Sequence, residues 1–225
     1  MTRPLAVLRP EPGNDATARR IEALGLAAHR LPLFATVPLA WTPPDPAGFD
    51  ALVLTSATTV RQAGAGLEAY ARLPVYAVGA ATAAAARTRG FQVIATGADD
   101  ADALIEQARR HGVTRALHLG GRDVAQAQDN GVIARHIAVY ASDPLPIDAA
   151  ALQALSGAVA LVHSPRAGAR LAGLIDAAGL PRAALRLAAI SHRAAAAAGQ
   201  GWAAIAIADQ PSDAALIAAA HSLAD

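Results

Sequence analysis

Apolar residues in this chain arrive in short unbroken runs separated by longer, alanine-rich stretches with polar positions at helical spacing. The runs at 5–8, 51–54, 75–78, 93–95, 116–119, 158–162, 187–190 and 204–208 predict strands. Continuous runs, rather than alternating ones, are what a sheet covered on both faces requires. The intervening stretches predict helices over 14–24, 56–70, 80–89, 100–110, 165–178, 192–198 and 212–223, with a short one after Gly121. Several end at a glycine, among them Gly25, Gly90, Gly179 and Gly199, and Gly64 and Gly66 weaken the one they interrupt. Strands alternating with helices of this length indicate parallel α/β architecture.

The rhythm occurs twice. Thr55-Ser56 and His163-Ser164 each end a strand and open a helix, as do Val78-Gly79 and Ile190-Ser191. Downstream, Asp102-Ala103-Leu104-Ile105 matches Ala214-Ala215-Leu216-Ile217. Two segments, 29–39 and 135–146, read instead as extended strands edged by proline. The expectation is an α/β fold of two similar parallel-sheet lobes, joined by a two-stranded connector, with a cleft between them. The first lobe is discontinuous, 1–34 and 147–225; the second is 40–134; the connector strands are 35–39 and 135–146.

Composition narrows the class. The chain has 225 residues, 54% of them apolar and 16% charged, too apolar for a disordered chain. It has no cysteine, so disulfides, thiol nucleophiles and cysteine-bound zinc are excluded. A net charge of +1 lacks the basic field of a general nucleic-acid binder. No apolar run approaches the ~20 residues of a membrane span, and residues 1–9 do not read as a signal peptide. The expected location is the cytoplasm. All nineteen basic residues are arginine, whose guanidinium grips carboxylates as a fork.

Familiar cofactor and metal signatures are missing. No G-x-G-x-x-G follows a strand, and a P-loop is impossible without lysine. The histidines are scattered, with no H-E-x-x-H, so no metal site is expected. The acidic group Asp99, Asp100 and Asp102 falls where a helix starts, a place that favours carboxylates for capping.

Chemistry is concentrated at the strand ends. Thr55-Ser56, Gly79-Ala80, Gly120-Gly121-Arg122, Ser164-Pro165-Arg166 and Ser191-His192-Arg193 all follow strands, each before a helix. Ligands of parallel sheets bind at that edge, and helix N-termini favour anions. With Arg9 after the first strand, these residues make a candidate site for a polyanion. Taken singly, each serine, threonine or glycine is an ordinary cap or turn. Tyr140, in the second connector segment, has a hydroxyl that could give a proton to a leaving group, or simply pack.

In order along the chain, Arg9-Pro10, Leu31-Pro32-Leu33, Leu54-Thr55-Ser56, Val78-Gly79 with Thr82-Ala83, Val139-Tyr140, Ser164-Pro165-Arg166, Ala189-Ile190 and Pro211-Ser212-Asp213-Ala214-Ala215-Leu216 resemble the uroporphyrinogen-III synthase family. The resemblance implies two α/β lobes and no cofactor. It implies cyclisation of the linear tetrapyrrole hydroxymethylbilane to uroporphyrinogen III, with inversion of the terminal ring and loss of water. The family scheme runs through an azafulvene and a spiro intermediate. Free substrate closes by itself to the type I isomer, so the enzyme's task is chiefly positioning, with modest acid help. The substrate's eight carboxylates match the arginines and strand-end donors.

Carried over by the resemblance, Tyr140 is the catalytic candidate that assists hydroxyl departure. Thr82 matches the family's threonine of the middle lobe. Ser56, Gly79, Ser164 and Ser191 are donors to carboxylates, beside Arg9, Gly120, Gly121, Arg122 and Arg166. The sequence departs from the pattern at Ser191-His192-Arg193, where many members have threonine. A monomer that meets hydroxymethylbilane synthase transiently is expected. The competing reading is a non-catalytic two-lobed binding protein for a polyanionic small molecule. A nucleotide-cofactor transferase lacks its glycine fingerprint here, and a phosphorylated receiver domain lacks its lysine.

Overall fold

The computed structural model describes residues 2–97, 101–123 and 131–224. The chain divides into two compact units, Met1–Ala35 with Asp143–Asp225 (unit 1) and Thr36–Ser142 (unit 2).

Unit 1 contains β1 (Leu5–Val7), α1 (Gly13–Ala23) and β2 (Ala28–Arg30) from the first part of the chain. From the last part it contains α5 (Ala149–Gln153), β9 (Val159–Val162), α6 (Pro165–Ala177), β10 (Arg186–Ala189), α7 (His192–Ala198), β11 (Ala204–Ile207) and α8 (Asp213–His221). Its sheet runs β11-β10-β9-β1-β2, and every pairing is parallel. Successive residues of one strand serve opposite faces. Ala6 and Leu8 join Ala160, Leu171 and Ile175 in one core, while Leu5 and Val7 join Ile21, Leu161 and Leu216 in the other. That two-sided burial is why the strands carry no polar alternation.

Unit 2 carries β4 (Ala51–Leu54), α2 (Ala57–Gln62), β5 (Val75–Val78), α3 (Ala80–Thr88), β6 (Val93–Gly97), α4 (Ala101–Arg110) and β7 (Ala116–Gly121). Two more strands, β3 (Phe34–Pro38) and β8 (Ile133–Pro144), complete a sheet ordered β3-β8-β7-β4-β5-β6. Helices α2 and α3 cover one face with Leu52, Leu54, Leu117 and Leu119; α4 covers the other with Val53 and Ala116.

The segments read as connector strands, β3 and β8, are sheet neighbours. Leu39 N–H donates to Val139 O at 3.0 Å and Leu145 N–H to Leu33 O at 3.0 Å, so the two strands run antiparallel. They do not stand alone, because β8 also pairs in parallel with β7 from Ile133 to Tyr140.

Three local readings need correction. The extended segment 29–39 is two strands, β2 and β3, separated by Leu31-Pro32-Leu33. Pro32 has no N–H to give to a ladder. The helix expected over 56–70 stops at Gln62 and continues as a 3-10 turn, Gly64–Tyr70. Gly64 adopts φ +64°, a conformation outside the right-handed helix. Gly120 and Gly121 lie inside β7 rather than in a turn after it. The short helix expected after Gly121 falls largely on 124–130, and Asp99 and Asp100 on 98–100, outside the described residues.

The two sheets share one topology. Position by position, β8-β7-β4-β5-β6 corresponds to β2-β1-β9-β10-β11. In unit 2 the chain visits these positions in one continuous pass; in unit 1 the same circuit is cut between β11 and β1. The matched sequences at 102–105 and 214–217 are α4 and α8, the helices at corresponding places in that circuit.

Candidate active site

A doubly wound parallel sheet binds ligands outside the C-terminal strand ends, where the strand order reverses. In unit 2 the reversal lies between β4 and β7, and in unit 1 between β9 and β1. The predicted residues divide accordingly. Ser56, Gly79, Thr82, Gly120, Gly121, Arg122 and Tyr140 belong to unit 2; Arg9, Ser164, Arg166 and Ser191 belong to unit 1.

In unit 2, Ser56 caps α2, accepting the Thr58 N–H at 3.1 Å. Gly79 caps α3 with φ +78°, a turn that lets β5 enter the helix without a side chain. The first turn of α3, containing Thr82, has N–H groups with no acceptor inside the helix. Thr82 is 4% exposed. Arg122 is exposed and pairs with Asp123 at 3.4 Å.

Tyr140 is level with Gly121 in the β7–β8 register. A Cβ added at Gly121 would stand 2.8 Å from Tyr140 Cζ and 3.0 Å from its hydroxyl. Glycine is therefore what lets the phenol lie flat against the strand end. The ring packs on the Leu52–Leu119 core and is half-buried.

In unit 1, Ser164 caps the thirteen-residue α6 through Ala167 N–H at 3.2 Å, and Ser191 caps α7 through Ala194 N–H at 3.3 Å. The guanidinium of Arg166 lies 4.6 Å over the Phe34 ring. His192 and Arg193 are exposed. Arg9 leaves the end of β1 and reaches Asp213 at 3.5 Å.

Asp213 is a hub that the sequence did not disclose. Its carboxylate accepts from Thr17 Oγ1 at 2.7 Å, from His163 Nε2 at 2.9 Å and from Arg20. Burial works to raise its pKa, but these hydrogen bonds outweigh burial and hold it well below the usual range. Burial pushes His163 down, against the pull of Asp213.

A second cluster was also missed. His118 of β7 and His136 of β8 are partners in register, with ring centroids 4.6 Å apart. His118 Nε2 is 3.2 Å from Thr55 Oγ1, at the end of β4. Burial, helped by His136, lowers His118 to about 4, and burial lowers His136 too. The separation of 63 residues between Thr55 and His118 gives no local signal; only strand register brings them together. His111, the sequence neighbour of His118, instead bonds Tyr76 through Nδ1 at 3.1 Å. Among the described residues, no three His, Asp or Glu side chains form a group able to hold a metal, and no helix is long and apolar enough to cross a membrane.

The family model described as uroporphyrinogen-III synthase HemD matches residues 15–218. The chain belongs to the uroporphyrinogen-III synthase family. The fold agrees. A uroporphyrinogen-III synthetase from Helicobacter pylori superposes with a TM-score of 0.67 at 16% identity, covering 98% of this chain and 99% of that one. A mutant uroporphyrinogen III synthase from the extremely thermophilic bacterium Thermus thermophilus gives a TM-score of 0.57 at 17% identity, covering 95% and 96%. A search of curated proteins returned no match. As a uroporphyrinogen-III synthase family enzyme, the chain cyclises hydroxymethylbilane to uroporphyrinogen III, inverting the terminal ring and releasing water.

Proposed function

We propose that Tyr140 supplies the proton that lets the substrate's hydroxyl leave, while the strand-end groups of each unit bind carboxylates. The observation that carries this reading is the seating of Tyr140 against Gly121, beside the strand reversal of unit 2. The phenol gives its proton to the hydroxyl, the C–O bond breaks as the pyrrole nitrogen pushes electrons out, and water departs. The azafulvene methylene bonds to the substituted carbon of the terminal ring, giving the spiro intermediate. That carbon's original bond to its methylene bridge then breaks, and the methylene so released bonds to the ring's unsubstituted carbon, closing the macrocycle with the ring inverted. The proton lost from carbon on aromatisation balances the one that Tyr140 gave.

The rest of the site is positioning. The first turns of α3 (with Gly79 and Thr82) and α6 (with Ser164 and Arg166) present N–H groups and a positive dipole end to carboxylates. Helices α2 and α7 are only six and seven residues long, so Ser56 and Ser191 contribute through hydroxyls more than through helix fields. Arg9 and Arg122 add charge at their own strand ends, and Gly120 and Gly121 act by leaving room. The reading includes a cytoplasmic monomer, without cofactor, that takes substrate from hydroxymethylbilane synthase in a transient encounter.

The test is product identity. Purified protein is mixed with freshly generated hydroxymethylbilane, the products are oxidised, and the isomers are separated by chromatography. Type III uroporphyrin is expected. Type I alone from folded protein would overturn the reading.

A further inference from the structure

Ser56, the serine that sequence points to at the end of β4, caps α2 with its hydroxyl oxygen and keeps only its O–H for substrate. The residue before it is placed differently. Thr55 is half-buried, lies at the β4–β7 reversal, and its Oγ1 is joined from the sheet side to His118 Nε2 at 3.2 Å. His118 is 2% exposed, so it does not reach solvent itself.

The histidine is fixed from three directions. It is paired in register with His136 across the ladder, and the two rings lie at 52° to each other. Gly120 follows it on the same face. A Cβ at Gly120 would stand 3.1 Å from His136 Nε2 and 3.3 Å from His118 Nε2. Any side chain there would press on both imidazoles. His136 Nε2 is itself buried without a hydrogen-bond partner among the described residues. A ring so placed is kept neutral by burial, and a neutral imidazole can offer one N–H without bringing a charge.

We propose that Thr55 is a substrate-binding residue whose hydroxyl donates to a carboxylate of the tetrapyrrole, and that His118 is its positioning residue. In this arrangement His118 Nε2–H donates to Thr55 Oγ1, and the threonine's own proton is turned outward. Gly120 thereby acts through the imidazole pair rather than on substrate. The inference deepens the cyclase reading and rests on it.

The experiment is steady-state kinetics of uroporphyrinogen III formation by the full chain and its variants, with folding followed by circular dichroism. Thr55→Val is expected to raise KM about tenfold to a hundredfold, the loss of a hydrogen bond to a charged group, with kcat nearly unchanged. Thr55→Ser restores KM. His118→Phe raises KM similarly, and the double variant is no worse than either single one, because both remove the same contact. An unchanged KM in Thr55→Val overturns the proposal, as do failed rescue by serine and multiplicative effects in the double variant. Should His118→Phe not fold, the valine and serine variants of half-exposed Thr55 still decide. Should the unaltered chain yield type I isomer only, the cyclase reading fails before this one is reached.

Discussion

Tyr140 and His118 lie on neighbouring strands, yet they answer to different tests. Tyr140→Phe keeps the ring and its packing but removes the proton. It should lower kcat about a hundredfold, the usual scale of general acid help, with the melting temperature unchanged. An unaltered kcat would take Tyr140 out of the chemistry. Gly121→Ala attacks the same group through space: a methyl 2.8 Å from the phenol must push it aside. A loss of about 1–3 kcal/mol in stability together with reduced kcat is expected, read by thermal melting and turnover. His118 instead governs pH. Its ring titrates near 4 when folded against an ordinary 6.5, so the unfolded chain binds more protons between those values. Stability should fall as pH drops from about 6.5 towards 4, by on the order of 3 kcal/mol from this residue. His136, shifted the same way, adds to the slope. Denaturant melts across that pH window measure it, and a flat profile would contradict the buried neutral ring.

At the scale of elements, the close approach of α6 and α7 is set by one position. A Cβ at Gly168 would stand 2.7 Å from the Ala194 carbonyl oxygen and 3.2 Å from Ala198 Cβ. Gly168→Ala should therefore force the helices apart, costing about 1–3 kcal/mol by denaturant unfolding. It should also raise KM, because Ser164 and Ser191 begin these two helices. The strands were legible in the sequence, since two-sided burial writes them as apolar runs such as 51–54 and 159–162. The break at Gly64 was half-legible: glycine signals weakness, but only tertiary packing decides whether a helix survives it. The split of β2 from β3 was hidden because Leu31 and Leu33 continue the apolar pattern across Pro32. The strand-end serines and Tyr140 could be read as candidates. Thr55 with His118 and His136, and Asp213 with Thr17 and His163, could not, because parallel crossovers bring together residues far apart in sequence.

Over the whole molecule, charge is nearly balanced and every fixed side-chain cation is a guanidinium. In the proposed site, substrate capture rests on a few oriented arginines and backbone dipoles rather than on a general basic field. Arginine-directed dicarbonyl reagents should inactivate the enzyme, with substrate protecting it, whereas amine-directed reagents find no lysine to modify. An activity assay after each treatment distinguishes them; full activity after arginine modification would remove the guanidinium contribution.

The cut in the topological circuit of unit 1 sets a timetable. On the ribosome, β4 to β8 emerge in one stretch, and unit 2 can close its parallel ladder while the rest is still being translated. Strand β1 is made well before β9 and must wait for it, its register partner more than 150 positions later. Until then Leu5 and Val7, fully buried in the finished protein, have Ile21 of α1 to pack on but lack Leu161 and Leu216 of their core. A strand made early is thus secured late, and part of its apolar surface stays uncovered in the interval.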